Sequence, residues 1–106
     1  MATENNIWVR QPQEKKGDYF FNGKSYMTSN LMREISIGEL IWILADLKAF
    51  VRAEQGIDYL VVYVRSDGRK IFCIDQLSKS MMGSGDYTKE EVKEYNYWTM
   101  LFAEEY

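Results

Sequence analysis

Three stretches of this chain have a hydrophobic pattern regular enough to name an element. In the first, Ile37, Leu40, Ile41, Leu44, Leu47 and Val51 recur every three or four residues, which aligns them on one side of a helix over 37–54. Ser36-Ile37-Gly38-Glu39 ahead of it is a capping box: the serine hydroxyl can accept from the Glu39 N–H while the glutamate reaches back. Gly56 stands where a left-handed residue would end the helix. Trp42, Ile43 and Phe50 fall outside the stripe, so the apolar arc covers more than half the circumference and predicts contact on two sides.

The second stretch is a hairpin, 58–65 and 70–75 joined through Ser66-Asp67-Gly68-Arg69. Asp67-Gly68 predicts a two-residue type I′ turn, because both types tolerate positive φ. That turn pairs Val64 with Ile71 and Val62 with Cys73 on one face, and Tyr63 with Phe72 and Val61 with Ile74 on the other. Both faces are apolar, so the hairpin is expected at the centre of its sheet, with the helix on one side and aromatic residues crowding the other.

The third is a closing strand over 97–103, rich in aromatic and β-favouring types. Thr88-Lys89-Glu90-Glu91 before it is a second capping box and starts a short helix near 88–94. Residues 78–86 between the hairpin and that helix read as a small-residue loop. Nearer the N-terminus, Asn22-Gly23 predicts a hairpin between 19–21 and 24–27. Ile7-Trp8-Val9 reads either as a short strand or as a tail anchored over the core, and 11–17 as a linker. The expected architecture is a single α+β domain over 1–106. It has an antiparallel sheet of four to five strands, the long helix on one face, and 1–17 as a loosely attached arm.

Composition narrows the chemistry. The 106 residues are 46% apolar and 27% charged with a net charge of −3, ordinary for one globular domain. No apolar run is long enough for a membrane span, and the polar first residues lack the apolar core of a signal peptide. Histidine is absent, which removes imidazole bases and Ser–His or Cys–His pairs. The single cysteine, Cys73, excludes an internal disulfide and thiolate metal clusters, and it fits a reducing cytoplasm. Met82-Gly83-Ser84-Gly85-Asp86 lacks the ending of a phosphate-binding loop. Asp46, Asp58, Asp67, Asp75 and Asp86 could hold magnesium or act as an acid–base pair, and no two have a recognised ligand spacing. No cofactor is expected, and no catalysis.

From Tyr26 onward the chain resembles a small bacterial and phage family, the domain of unknown function 960. Tyr26-Met27-Thr28, Ile35 before the cap, Trp42 in the helix, Asp58-Tyr59-Leu60 and the ending Thr99-Met100-Leu101-Phe102-Ala103-Glu104-Glu105-Tyr106 carry the likeness. The resemblance implies an α+β fold and an origin near mobile elements, and it brings no activity. The chain departs from the family where it turns back at once through Asp67-Gly68, and its first 25 residues have no counterpart there.

Charge and aromatic content then point to a surface. Residues 1–53 carry seven Lys/Arg against six Asp/Glu, and residues 54–106 carry six against ten. Asp86, Glu90, Glu91, Glu94, Glu104 and Glu105 form an acidic C-terminal part beside Tyr95, Tyr97 and Tyr106, while Tyr59 and Tyr63 share a strand face. Tyrosine offers a large rigid contact with a polar tip, and acids steer encounter with a basic partner. These eleven residues are the expected contact surface of a small protein-binding module. With the mobile-element resemblance, it would be an anti-CRISPR-like inhibitor covering the basic surface of a host nuclease in the host cytoplasm. The Lys/Arg excess for direct nucleic-acid contact is missing. A self-associating module, dimeric through its apolar excess, and a small-ligand or nucleotide binder with a pocket between helix and sheet are the alternatives.

Overall fold

In a computed structural model, which describes residues 7–106, Ser36 accepts from the Glu39 N–H at 3.1 Å and Glu39 returns the bond to the Ser36 N–H at 3.0 Å. The helix they start, Ile37–Glu54, is the longest element. In chain order the elements are β1 (Trp8–Arg10), β2 (Lys24–Met27), α1 (Ser29–Glu34), α2 (Ile37–Glu54), β3 (Leu60–Arg65), β4 (Lys70–Asp75), α3 (Lys79–Met82), α4 (Lys89–Tyr95) and β5 (Tyr97–Phe102). A single 3₁₀ turn, Ala103–Glu105, follows β5. The strands form one sheet in the order β1-β3-β4-β5-β2, so the β3–β4 hairpin is interior as expected. None of the described helices is long and apolar enough to cross a membrane.

The sheet is mixed where an antiparallel one was expected, because β2 runs parallel to β5 from Lys24↔Tyr97 to Met27↔Met100. The predicted hairpin at Asn22-Gly23 does not form. Tyr19 is drawn instead into a two-way backbone bridge with Ile57, at 2.9 and 3.0 Å, and Phe21 takes a left-handed φ of 51°. Gly23 serves a close crossing: a Cβ there would lie 2.1 Å from the Asn96 carbonyl oxygen.

The β3–β4 register is also corrected. Val61 pairs with Cys73, Val62 with Phe72, and Tyr63 with Ile71, one residue from the expected set. Ser66-Asp67-Gly68 is a three-residue loop: the Gly68 N–H donates to the Arg65 carbonyl at 2.8 Å, the Arg65 N–H donates to the Arg69 carbonyl at 2.8 Å, and only Gly68 has positive φ. The Asp67 carboxylate accepts from the Arg69 N–H and the Arg65 guanidinium, which favours this wider loop over the type I′ turn. The slip moves Val61 and Tyr63, in place of Val62 and Val64, onto the face of Ile71 and Cys73.

Helix α2 covers that inner face with Ile43, Leu47 and Val51 buried, whereas Ile37 and Ile41 of the expected stripe are 72% and 60% exposed. Two polar tethers rotate the helix. Glu39 accepts from the Trp8 indole at 2.7 Å, and Asp46 accepts from the Tyr63 hydroxyl at 2.8 Å and from Arg10 at 2.7 Å. With Ile43 between them, these positions share one helix face, and pulling it to the sheet rolls Ile37 and Ile41 outward. At the C-terminus Gly56 has the expected positive φ, at 111°, and the cap residue Gln55 before it is also left-handed, with φ 55°.

The strand alternative for residues 7–9 is the one that forms, as an edge pairing Val9 with Val64 and burying Trp8. Residues 11–17 are held more firmly than a loose arm, through the Gln11 N–H to the Val62 carbonyl and the Gln13 amide to the Leu60 carbonyl, both at 2.8 Å. Residues 1–6 of that expected arm lie outside the described residues. The 78–86 loop contains the one-turn α3, capped by Ser78. The second capping box holds, with Thr88 and Glu91 exchanging bonds at the start of α4.

Candidate protein-binding face

Strand geometry sends alternate side chains to opposite faces, and here burial follows that alternation on β3, β4 and β5 except at Arg65, the last residue of β3, which is only partly buried. Inward are Val61, Tyr63, Ile71, Cys73, Asp75, Trp98, Met100 and Phe102, all buried. Outward are Leu60, Val62, Val64, Phe72, Ile74, Tyr97, Thr99 and Leu101, none of which is buried and none of which belongs to the core. Register arranges them in rows. Val62, Phe72 and Leu101 form one, and Leu60, Ile74, Thr99 and Tyr26 form the next. Val9 extends the face past Val64 on β1 and is 60% exposed.

Aromatic rings frame this face. Tyr106 folds back from the 3₁₀ turn onto Phe72, ring centroids 5.7 Å apart, and is 79% exposed. Tyr26 meets Tyr97 edge to face at 5.3 Å, and Tyr19 meets Tyr59 at 6.2 Å. Tyr19, Tyr59, Ile74, Thr99, Leu101 and Tyr106 enclose a shallow depression of about 450 Å³. Its position is set by Glu105, which accepts from the Phe102 N–H at 3.0 Å and the Thr28 hydroxyl at 2.9 Å and so locks the turn that delivers Tyr106. Those bonds hold the Glu105 carboxyl below its ordinary range, with the Phe102 N–H contributing most.

Of the eleven expected contact residues, Tyr59, Tyr97 and Tyr106 meet on this face. Tyr63 does not: it is fully buried on the inner side, its hydroxyl on Asp46 and its ring against Trp42, and desolvation foremost drives its pKa upward. The slipped register is the reason. The six carboxylates do not form one patch. Glu104 pairs with Arg69 at 3.4 Å, Glu105 is spent on the turn, and Glu91 caps α4. Asp86, Glu90, Glu94 and Tyr95 are exposed in or just before α4, and no hydrogen bond, ion pair or ring contact among the described residues joins them to the sheet face. The charges that stand in the outward rows are Lys24 and Lys70. Tyr26, Tyr19, Phe72 and Val9 are the members that sequence reasoning missed. The period-two pattern Tyr97-Thr99-Leu101 was the available signal for an apolar outward face.

The aspartates are dispersed in local roles. Asp75 is buried and accepts from the Phe21 N–H at 2.9 Å; desolvation pushes its pKa up against the backbone hydrogen bonds it receives. Asp67 is held down to about 2, chiefly by hydrogen bonds from Arg65. No three carboxylate or thiol groups converge as a metal site among the described residues. Comparison of this chain with protein-family models, with curated proteins and with solved structures finds no match in any of the three.

Proposed function

We propose that this chain is a protein-binding module without catalysis, which docks through the outward face of its sheet. The observation that carries the reading is the outward side of the sheet: eight strand residues, seven of them apolar or aromatic, are only partly buried and lie outside the core formed by the described residues. Monomeric proteins rarely leave more than a few hundred Å² of contiguous apolar surface in water, and larger patches mark interaction sites. Tyr26, Tyr59, Tyr97 and Tyr106 supply the rigid, tip-polar anchors that dominate interface energetics.

The resemblance to the domain of unknown function 960 and its origin near mobile elements support a sharper form, an anti-CRISPR-like inhibitor of a host defence protein. Glu90 and Glu94 of α4 and Asp86 before it are exposed, and one residue, Asn96, separates α4 from β5; they would act as an acidic shoulder that meets a basic nuclease surface in the host cytoplasm. A partner of that chemistry is occluded by the aromatic face and steered by the shoulder.

Capture of host proteins by wild type, by a Tyr26→Ser/Tyr106→Ser double variant and by Glu90→Lys/Glu94→Lys tests both parts. Both tyrosines are more than half exposed, so the fold tolerates the change. The tyrosine variant is expected to lose a specific partner, and full retention overturns the sheet-face reading. Capture that survives the charge reversal removes the acidic shoulder. Sedimentation at several concentrations covers the self-association alternative: a dimer dissolved by the tyrosine variant assigns the face to a second copy.

A further inference from the structure

We propose that the cleft between α2 and β2 is a binding site for a small anion carried on an apolar, ring-sized body, of the aryl phosphate or aryl carboxylate class. The cleft lies on the helix side of the sheet, opposite the tyrosine face, and has a volume of about 950 Å³. That is within the range of small-molecule sites, roughly 300–1,000 Å³.

Its helical wall is one face of α2, where Leu44, Leu47 and Val51 alternate with Lys48 and Arg52 at three- and four-residue steps, and the cap residue Gln55 closes its end. Leu44 to Val51 spans about 10 Å of helix axis, the length of one or two rings. The opposite wall and floor are aromatic. Phe21 meets Trp98 edge to face at 5.8 Å, and Phe20 stands beside them. The apolar part of a ligand of this size is therefore matched in both length and surface.

The rim is cationic. Lys48 and Arg52 stand one turn apart on α2, and Lys79 comes from α3, its ammonium 6.0 Å from the Phe20 ring. No Asp or Glu lines the cleft, and none of these three cations is in an ion pair among the described residues. In a chain of net charge −3 this is a local reversal of sign. Three cations around an apolar floor are complementary to an amphiphilic anion, and a neutral apolar molecule leaves them unused.

The backbone provides an independent sign. Phe21 and Gln55 are the two non-glycine residues with positive φ among the described residues, at 51° and 55°, and both line this cleft. A bulky side chain in that region is costly, and such conformations cluster at ligand sites. Phe21 is held there by its N–H bond to the buried Asp75.

Phenyl phosphate titrated into the ¹⁵N-labelled protein is the test, with the Trp98 indole and Gln55 amide signals followed. Phenol and inorganic phosphate, titrated separately, isolate the two halves. Phenyl phosphate is expected to shift these signals saturably, and each half-ligand to bind about tenfold or more weakly. Lys48→Gln/Arg52→Gln, which alters two exposed side chains, is expected to weaken phenyl phosphate about tenfold with its melting temperature unchanged. Tyr26→Ser/Tyr106→Ser is expected to bind it as wild type does, which separates this site from the sheet face. Signals unmoved up to about 10 mM phenyl phosphate overturn the proposal. So does inorganic phosphate or phenol binding as tightly as the whole ligand, or a double glutamine variant with undiminished affinity.

Discussion

The hydroxyl of Tyr63, a residue with no exposed surface, donates to Asp46 at 2.8 Å and so links the centre of the sheet to the middle of α2. The same carboxylate oxygen accepts from Arg10 at 2.7 Å, which ties edge strand β1 into the link. One aspartate thus fixes the rotation of the long helix and the docking of the N-terminal strand.

Removing the phenol oxygen by Tyr63→Phe leaves Asp46 still bonded to Arg10, and is expected to lower stability by about 1–2 kcal/mol. Asp46→Ala strands a buried hydroxyl as well as Arg10, and is expected to cost about 2–3 kcal/mol. Urea unfolding of both variants and of the double variant measures the link. Additive losses would show that the two residues act separately.

The glycines separate steric from conformational cost. Gly23→Ala drives a methyl to 2.1 Å from the Asn96 carbonyl oxygen and must displace β2 from β5, with an expected loss of more than about 2 kcal/mol. Gly68→Ala meets no atom within 4 Å, and is expected to lose about 1 kcal/mol from its φ of 92° alone. Chemical denaturation of the two variants checks the order.

Asp75 gives the pH dependence an unusual component. Its folded pKa is raised, foremost by desolvation, so its contribution is fully present below its unfolded value near about 4 and is lost as pH rises through the folded value. The stability of wild type minus that of Asp75→Asn is therefore expected to fall with rising pH across that window. Glu39 behaves oppositely. Desolvation opposes its ionisation, but hydrogen bonds from Ser36 and Trp8 and the charge of Arg65 outweigh this and lower its pKa. Its contribution is lost as pH falls through the folded value. Denaturant midpoints from about pH 3 to pH 7 separate the two signs.

Cys73 is fully buried in β4, and desolvation pushes its thiol pKa up. Ellman's reagent is expected to leave it unmodified in native buffer and to react with one thiol per chain in guanidinium. Rapid native modification would mean that the β4–β5 pairing opens readily.

What could be read along the chain was whatever neighbouring residues settle among themselves. Both capping boxes lie within four residues, and the helices after Ser36 and Thr88 begin where expected. Central placement of the hairpin followed from two apolar faces. The misreadings share one origin, which is competition from a distant partner. Asn22-Gly23 is a good turn dipeptide, yet Ile57 and Asn96 take the backbone bonds on either side of it. Asp67-Gly68 suits a two-residue loop, yet the carboxylate of Asp67 binds Arg65 and Arg69 and widens the loop by one residue. At the candidate face, Tyr97 and Tyr106 were legible from their place in the C-terminal part. Tyr26 was not, because only the parallel β2–β5 pairing brings it against Tyr97.

The order of amino acids alone therefore settled the α+β class, the long helix and its cap, and the exclusion of imidazole chemistry, since these depend on composition and on contacts within a turn. Which tyrosines face solvent, which carboxylates remain unpaired and where the cationic cleft opens were settled by tertiary packing. A one-residue change of register exchanges the two faces of a strand, and a carboxylate's partners come from segments tens of residues away. Such choices are made by the sum of long-range contacts, which no local pattern contains.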